Sequence, residues 1–148
     1  MKTKPAELKH LSLIVDFQIK MALETENMNL DPSIVEKGVE AVFKDTHKGQ
    51  YFVGEKEGKI MASLLTLPEW SDWRNGQVIW IHSVFVEKEY RNQGVFKHMY
   101  GHLKEKVEKD PKLFGLRLYV DHSNHTAQKV YEGLGMKSDH YSLYEWMR

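Results

Sequence analysis

The stretch Gln77–Val107, QVIWIHSVFVEKEYRNQGVFKHMYGHLKEKV, decides the fold. Gln77 to Val86 is rich in Val, Ile, Trp and Phe, the composition of a mostly buried strand. A short polar loop, Glu87 to Gln93, follows. Val95/Phe96, Met99, Leu103 and Val107 then recur at helical spacing, which predicts a helix with one apolar face. Arg91, Asn92, Gln93 and Gly94 sit at the junction. At a helix start the backbone N–H groups have no intrahelical partner, and the macrodipole adds partial positive charge. Gly94 removes a side chain that would hold an anion away from those groups, and Arg91 adds a full charge. Such a junction suits a phosphate or pyrophosphate.

Two familiar phosphate loops do not fit. The pattern G-x-x-x-x-G-K-[ST] is absent, and Gly94 stands alone, so G-x-G-x-x-G is absent too. From Val86 to Gly94 the chain instead resembles motif A of the GNAT superfamily of acetyl-CoA-dependent N-acetyltransferases. That pattern runs [Q/R]-x-x-G-x-[G/A], and it is matched at Arg91 and Gly94, with Phe96 in place of the last small residue.

A second signature lies downstream. A strand predicted over Leu116–Val120 runs into Asp121–Met136, DHSNHTAQKVYEGLGM. Asn124 is a good N-cap, and Ala127, Val130, Tyr131 and Leu134 share one face of the helix it opens. On those grounds alone Tyr131 is a core aromatic. The spacing N-x-x-A-x-x-x-Y-x-x-x-G, however, resembles motif B of the same superfamily at Asn124, Ala127, Tyr131 and Gly135, with Met136 where a Phe is usual. Two signatures in the right order identify the chain as a member. The resemblance implies a mixed α/β fold: a central, mostly antiparallel sheet with one parallel splayed strand pair and helices on both faces.

The remainder agrees with one N-acetyltransferase domain over residues 1–148. No repeat or Gly/Ser linker interrupts the chain, and 148 residues can bury one substantial core. A first helix is expected over Ala6–Ala22, followed by an acidic loop from Leu23 to Leu30. Asp31 and Pro32 open a second helix as cap and first-turn proline. Strands are expected at Gln50–Glu55 and Ile60–Leu67, joined through Glu57–Lys59 and ended by Pro68, with Glu69–Gly76 as a loop. A last strand is expected over Tyr141–Trp146. Met1–Pro5 lacks apolar alternation, so the strand with which the superfamily usually begins is expected to be minimal or missing.

Composition excludes several classes. Lys and Arg number 21 against 21 Asp and Glu, so nothing attracts the chain to nucleic acid or an anionic membrane. Cysteine is absent, which removes disulfides and thiol nucleophiles. No signal-type or spanning apolar run occurs, and a cytoplasmic location is expected. Of the eight histidines, His98 and His102 are i, i+4, but Met99 stands where a zinc protease motif needs Glu. His122 and His125 flank Asn124 without clustered carboxylates. No metal is expected.

By resemblance, backbone groups of Val84, Phe85 and Val86 hold the pantetheine arm of acetyl-CoA, with an N–H near Val86 polarising the thioester carbonyl. Arg91, Asn92, Gln93, Gly94, Val95, Phe96 and Lys97 hold the pyrophosphate, and Asn124 adds a contact to the arm. Tyr131 takes the general-acid position, protonating the departing thiolate. A phenol arrives at pH 7 with the proton it must give. His82 lies two residues before Val84 and hence on the same face as Val84 and Val86, where related enzymes carry a His or Glu base. A partly buried structural histidine is the alternative.

The acceptor is expected to be a small cationic amine. Glu24 and Glu26, with Trp70, Asp72 and Trp73, combine carboxylates and aromatic surface in segments that border the substrate cleft of the superfamily. Against this stands the reading in which the tryptophans pack the loop and the acids are solvated. Two other functions stay open: an idle fold that binds acyl-CoA as a sensor or interaction module, and a peptide or protein amine acetyltransferase. A homodimer is also left open.

Overall fold

A computed structural model describes all 148 residues. They divide into two compact units, Met1–Arg117 and Leu118–Arg148. The first unit holds a five-stranded sheet whose spatial order follows chain order, β1 to β5. β1 is Lys2–Pro5, β2 Gln50–Lys56, β3 Lys59–Ser71, β4 Gly76–Val86 and β5 Leu113–Arg117. Every adjacent pair is antiparallel except β4 and β5, which are parallel and joined through helix α3, Val95–Lys109.

Helices cover both faces. α1 (Leu11–Glu26) and α2 (Pro32–Lys44) lie on one side, where Ile14, Val39, Tyr51 and Val53 form a buried cluster that Leu65 joins. α3 lies on the other, with the fully buried Met99 against Gly54 and His102 against the Phe52 ring. Asp31 caps α2 by accepting the Ser33 N–H, as its sequence position implies. No helix is long and apolar enough to cross a membrane.

Four expectations need correction, and the first strand is present in the minimal form: the four residues Lys2–Pro5 pair with Phe52–Glu55. An edge strand needs little apolar content of its own. Thr3 alone is buried, Lys4 pairs with Glu55, and the charges discourage further pairing at that edge. The first helix is preceded by a 3₁₀ turn at Leu8–His10 and continues through Glu26, so Glu24 and Glu26 are helical. Asn27 ends it in the left-handed conformation. Pro68 does not end β3. It pairs opposite Ile79, where β3 has already passed the end of β2 at Gln50↔Thr66, and an edge tolerates the missing N–H.

β5 begins and ends three residues earlier than expected, because its register is set by Gln77–Trp80 of β4 rather than by its own apolar content. The fourth correction falls in the second unit, where Tyr141–Trp146 forms no strand. Its composition suits one, but a strand exists only through a ladder partner, and Tyr141, Leu143, Tyr144 and Trp146 are exposed. That unit does contain the expected helix, α4, over His125–Gly133.

Candidate active site

β4 changes character along its length. From Gln77 to Trp80 it has a ladder neighbour on each side, β3 and β5. The pairing with β5 stops at Trp80↔Arg117, whereas that with β3 continues to Ala62↔Val86. From Ile81 to Val86 one edge of β4 therefore takes part in no ladder, the arrangement to which an extended ligand can add as a strand.

A bulge interrupts this upper half. Leu65 pairs with His82 and Ser63 with Phe85, so Ser83 and Val84 together face Leu64. Ser83 takes φ +51°, a left-handed value unusual for a strand residue with a side chain. The bulge corrects the expected alternation. Residues paired across a ladder share a face, so His82 and Phe85 lie on the face of Leu65 and Ser63, toward α1 and α2. Val86, paired with Ala62, lies on the other. His82 is half-buried with its ring 6.0 Å from that of Trp80. Burial holds its imidazole below the ordinary value, so at neutral pH it is the uncharged, proton-accepting form.

The loop beyond β4 makes a 3₁₀ turn at Lys88–Tyr90 and then two left-handed steps, Asn92 at φ +59° and Gly94 at φ +74°. Gly94 is the N-cap of α3, and no side chain caps that helix. A Cβ at Gly94 would meet nothing within 4 Å, so the space over the first turn is open. Val95 is buried beneath the helix, the Phe96 ring lies 6.2 Å from that of Tyr100, and Lys97 is exposed. The Gln93 side chain donates to the Glu89 carbonyl, 2.7 Å, and so braces the loop. A cradle of open backbone donors at a left-handed glycine fits a pyrophosphate.

Arg91 is engaged differently from the expectation of a charge offered to the phosphate. Its Nε donates to the Val86 carbonyl at 2.8 Å and its Nη2 to Glu24 at 2.7 Å, while the guanidinium carbon stands 5.6 Å from the Phe85 ring centre. Glu24 also approaches Lys88, 3.5 Å, and Arg91 beside it holds its carboxyl below the usual range. Glu24 thus belongs to the loop. Nothing in its sequence neighbourhood signals a partner 67 residues away. Ser83 was missed for a similar reason, since no local pattern marks a bulge.

The segments expected to share the acceptor pocket are not brought together. Glu24 and Glu26 end α1 beside the loop that follows Val86. Trp70 pairs with Gln77 at the other end of β4, and Asp72 and Trp73 occupy the turn beyond it, where the Asp72 carboxylate accepts the Trp73 N–H. β4 is 11 residues long, so roughly 30 Å of strand separates the two ends. Trp70 and Trp73 are 63% and 90% exposed, so they do not pack the turn either.

In the second unit, the Asn124 carboxamide oxygen accepts the Ala127 N–H at 3.1 Å, capping α4. Its NH₂ group is left as the donor. Gly135, at φ +85°, lets Met136 donate to the Tyr131 carbonyl and Gly135 to that of Glu132, the double bond pattern that closes a helix C-terminus. Burial pushes the Tyr131 phenol above its ordinary value, which keeps it protonated at neutral pH. No three His, Asp or Glu side chains converge where a cation could be held.

Residues 20–136 match the Acetyltransferase (GNAT) family. Among solved structures, a possible acetyltransferase from Clostridium difficile 630 is 39% identical with a TM-score of 0.92, over 99% of this chain and 97% of that one. A probable acetyltransferase is 23% identical with a TM-score of 0.86, over 100% and 98%. At 13% identity, the ribosomal-protein-alanine N-acetyltransferase of Brucella melitensis biovar Abortus 2308 shares the fold, with a TM-score of 0.80 over 99% of both chains. No protein of curated function matches the sequence significantly. The parallel strand pair that ends at Trp80, the left-handed glycine before an uncapped helix and the match over most of the chain lead to one conclusion: this chain belongs to the GNAT family of acetyltransferases.

Proposed function

We propose that the protein transfers an acetyl group from acetyl-CoA to the primary amine of a small molecule. The observation that carries this reading is that β5 stops pairing with β4 at Trp80 while β4 runs on to Val86 and into the open, uncapped start of α3. Members of the family generally use acetyl-CoA, and the donor arrangement fits a pantetheine arm followed by a diphosphate. In this reading the edge of Val84, Phe85 and Val86 pairs with the arm, and the first-turn N–H groups of α3 take the diphosphate. The NH₂ of Asn124 supplies a further donor. Acetyl-CoA contributes an activated thioester carbonyl.

His82 takes the proton that the acceptor nitrogen must lose, and Tyr131 gives a proton to the leaving sulfur. A C–N bond replaces the C–S bond and the proton count balances. The pKa directions support both roles: a desolvated imidazole arrives neutral, and a buried phenol arrives protonated. The acceptor is a primary amine. The two segments that would favour a cationic one lie at opposite ends of β4, and Glu24 is already paired with Arg91.

A turnover screen with acetyl-CoA against polyamines, amino acids, arylalkylamines, aminoglycosides and N-terminal peptides tests the proposal. Release of CoA with a small amine supports it. Preference for peptides would move the acceptor to protein amines, and binding of acetyl-CoA without turnover would leave an idle acyl-CoA binder.

A further inference from the structure

We infer that Glu24 is a positioning residue for the acyl donor, acting through Arg91 to hold the loop that precedes α3. The inference rests on the acetyltransferase reading above. Arg91 fastens three parts of the molecule at once. Its Nε bonds the Val86 carbonyl at the end of β4, its Nη2 bonds Glu24 near the end of α1, and its backbone begins the turn that places Asn92 and Gly94 in left-handed conformations. The guanidinium serves the two acceptors from two nitrogens held a fixed distance apart in one plane, a geometry that the single nitrogen of a lysine does not reproduce.

α1 is held along one strip. Phe17, Lys20 and Glu24 recur at helical spacing, and each meets the β4–loop segment: Phe17 with the Phe85 ring at 4.8 Å, Lys20 with Glu87 at 3.2 Å, and Glu24 with Arg91. The sign of the charge is informative. A carboxylate beside a loop that receives a diphosphate opposes that anion by simple electrostatics. Its two partners, Arg91 and Lys88, are both cations of the loop, so its contribution is to fix the direction of their side chains rather than to attract a ligand.

Coenzyme A titrated calorimetrically into wild type, Glu24→Gln, Arg91→Lys, the double variant and Lys20→Ala tests this. A positioning role predicts that Glu24→Gln weakens coenzyme A binding about tenfold although it removes a negative charge. Arg91→Lys, which keeps the positive charge, should lose a similar factor, and the double variant no more than either. In turnover, the loss should appear in the KM for acetyl-CoA with kcat little changed. Lys20→Ala breaks the neighbouring α1 ion pair without touching Arg91 and should bind as wild type does. Equal or tighter binding by Glu24→Gln would overturn the inference, because that is the electrostatic expectation. Additive losses, or an equal loss in Lys20→Ala, would overturn it too by reducing the effect to general docking of α1. If wild type itself fails to bind coenzyme A, the acetyltransferase reading falls, and the inference with it.

Discussion

The two halves of β4 have similar compositions and opposite fates. Gln77–Trp80 is flanked by strands on both sides, and at its base Gly76 is pressed so closely against Phe114 that a side chain has no room. Ile81–Val86 has a strand on one side only, a bulge at Ser83–Val84 and open space beside Gly94, where the next helix starts. The closed half spends its hydrogen bonds on the sheet. The open half has β3 alone as its ladder neighbour. A strand can therefore be scaffold and site in succession, and what separates the two roles is where its neighbour ends.

The largest effect bears on whether the proposed chemistry takes place at all. Tyr131→Phe keeps the ring and removes only the proton donor, and turnover should fall by ~10²–10⁴. Rates within a few-fold of the parent would make Tyr131 a packing residue. Next, His82→Ala should lower kcat/KM by roughly 10²-fold at pH 7, with less loss at high pH where the amine deprotonates unaided. Because burial lowers the His82 pKa, the wild-type profile should keep its activity down past pH 6.5 before the acid limb falls. That limb should vanish in the variant, and an unchanged profile would return His82 to a structural role.

Two glycines then separate the halves directly. Gly94→Asp sets a carboxylate in the open space at the helix start, and coenzyme A affinity should drop by roughly 100-fold, while the left-handed φ of +74° costs the folded state about 1–2 kcal/mol. Gly76→Ala drives a methyl into Phe114 and within 2.7 Å of the Lys112 carbonyl oxygen. It should destabilise the fold by about 1–3 kcal/mol in denaturant titrations and leave the affinity of the folded fraction unchanged. Reversal of those two outcomes would exchange the roles assigned to the halves. The smallest effect is expected at the hairpin. Asp72→Asn and Trp73→Ala lie beyond the closed end and should shift stability by less than about 0.5 kcal/mol, with acceptor KM unaltered. A large rise in KM would bring the hairpin back into the acceptor site.

What the sequence disclosed was what local chemistry controls. The strand–loop–helix around Gly94 was legible because composition changes period within a few residues. The ends of α4 were legible because Asn124 and Gly135 act on backbone groups three or four residues away. What stayed hidden depends on distant partners. β1 is a strand because β2 offers it a ladder, and Pro68 is tolerated because β2 has already ended. Tyr141–Trp146 has the composition of a strand and no ladder to join. Likewise Glu24 and Asp72 were both acids next to apolar surface. Only the fold put one on Arg91 and the other at an exposed turn.

The strand order carries a consequence for how the chain is made. Because β1 to β5 neighbour one another in the order of synthesis, no strand waits for a partner that emerges two strands later. A sheet of this kind can grow by accretion as the polypeptide leaves the ribosome, each new strand closing on an edge already exposed. The longest wait belongs to Lys2–Pro5, which stays unpaired until Gln50–Lys56 has been translated. Its lysines keep that first segment hydrated in the interval.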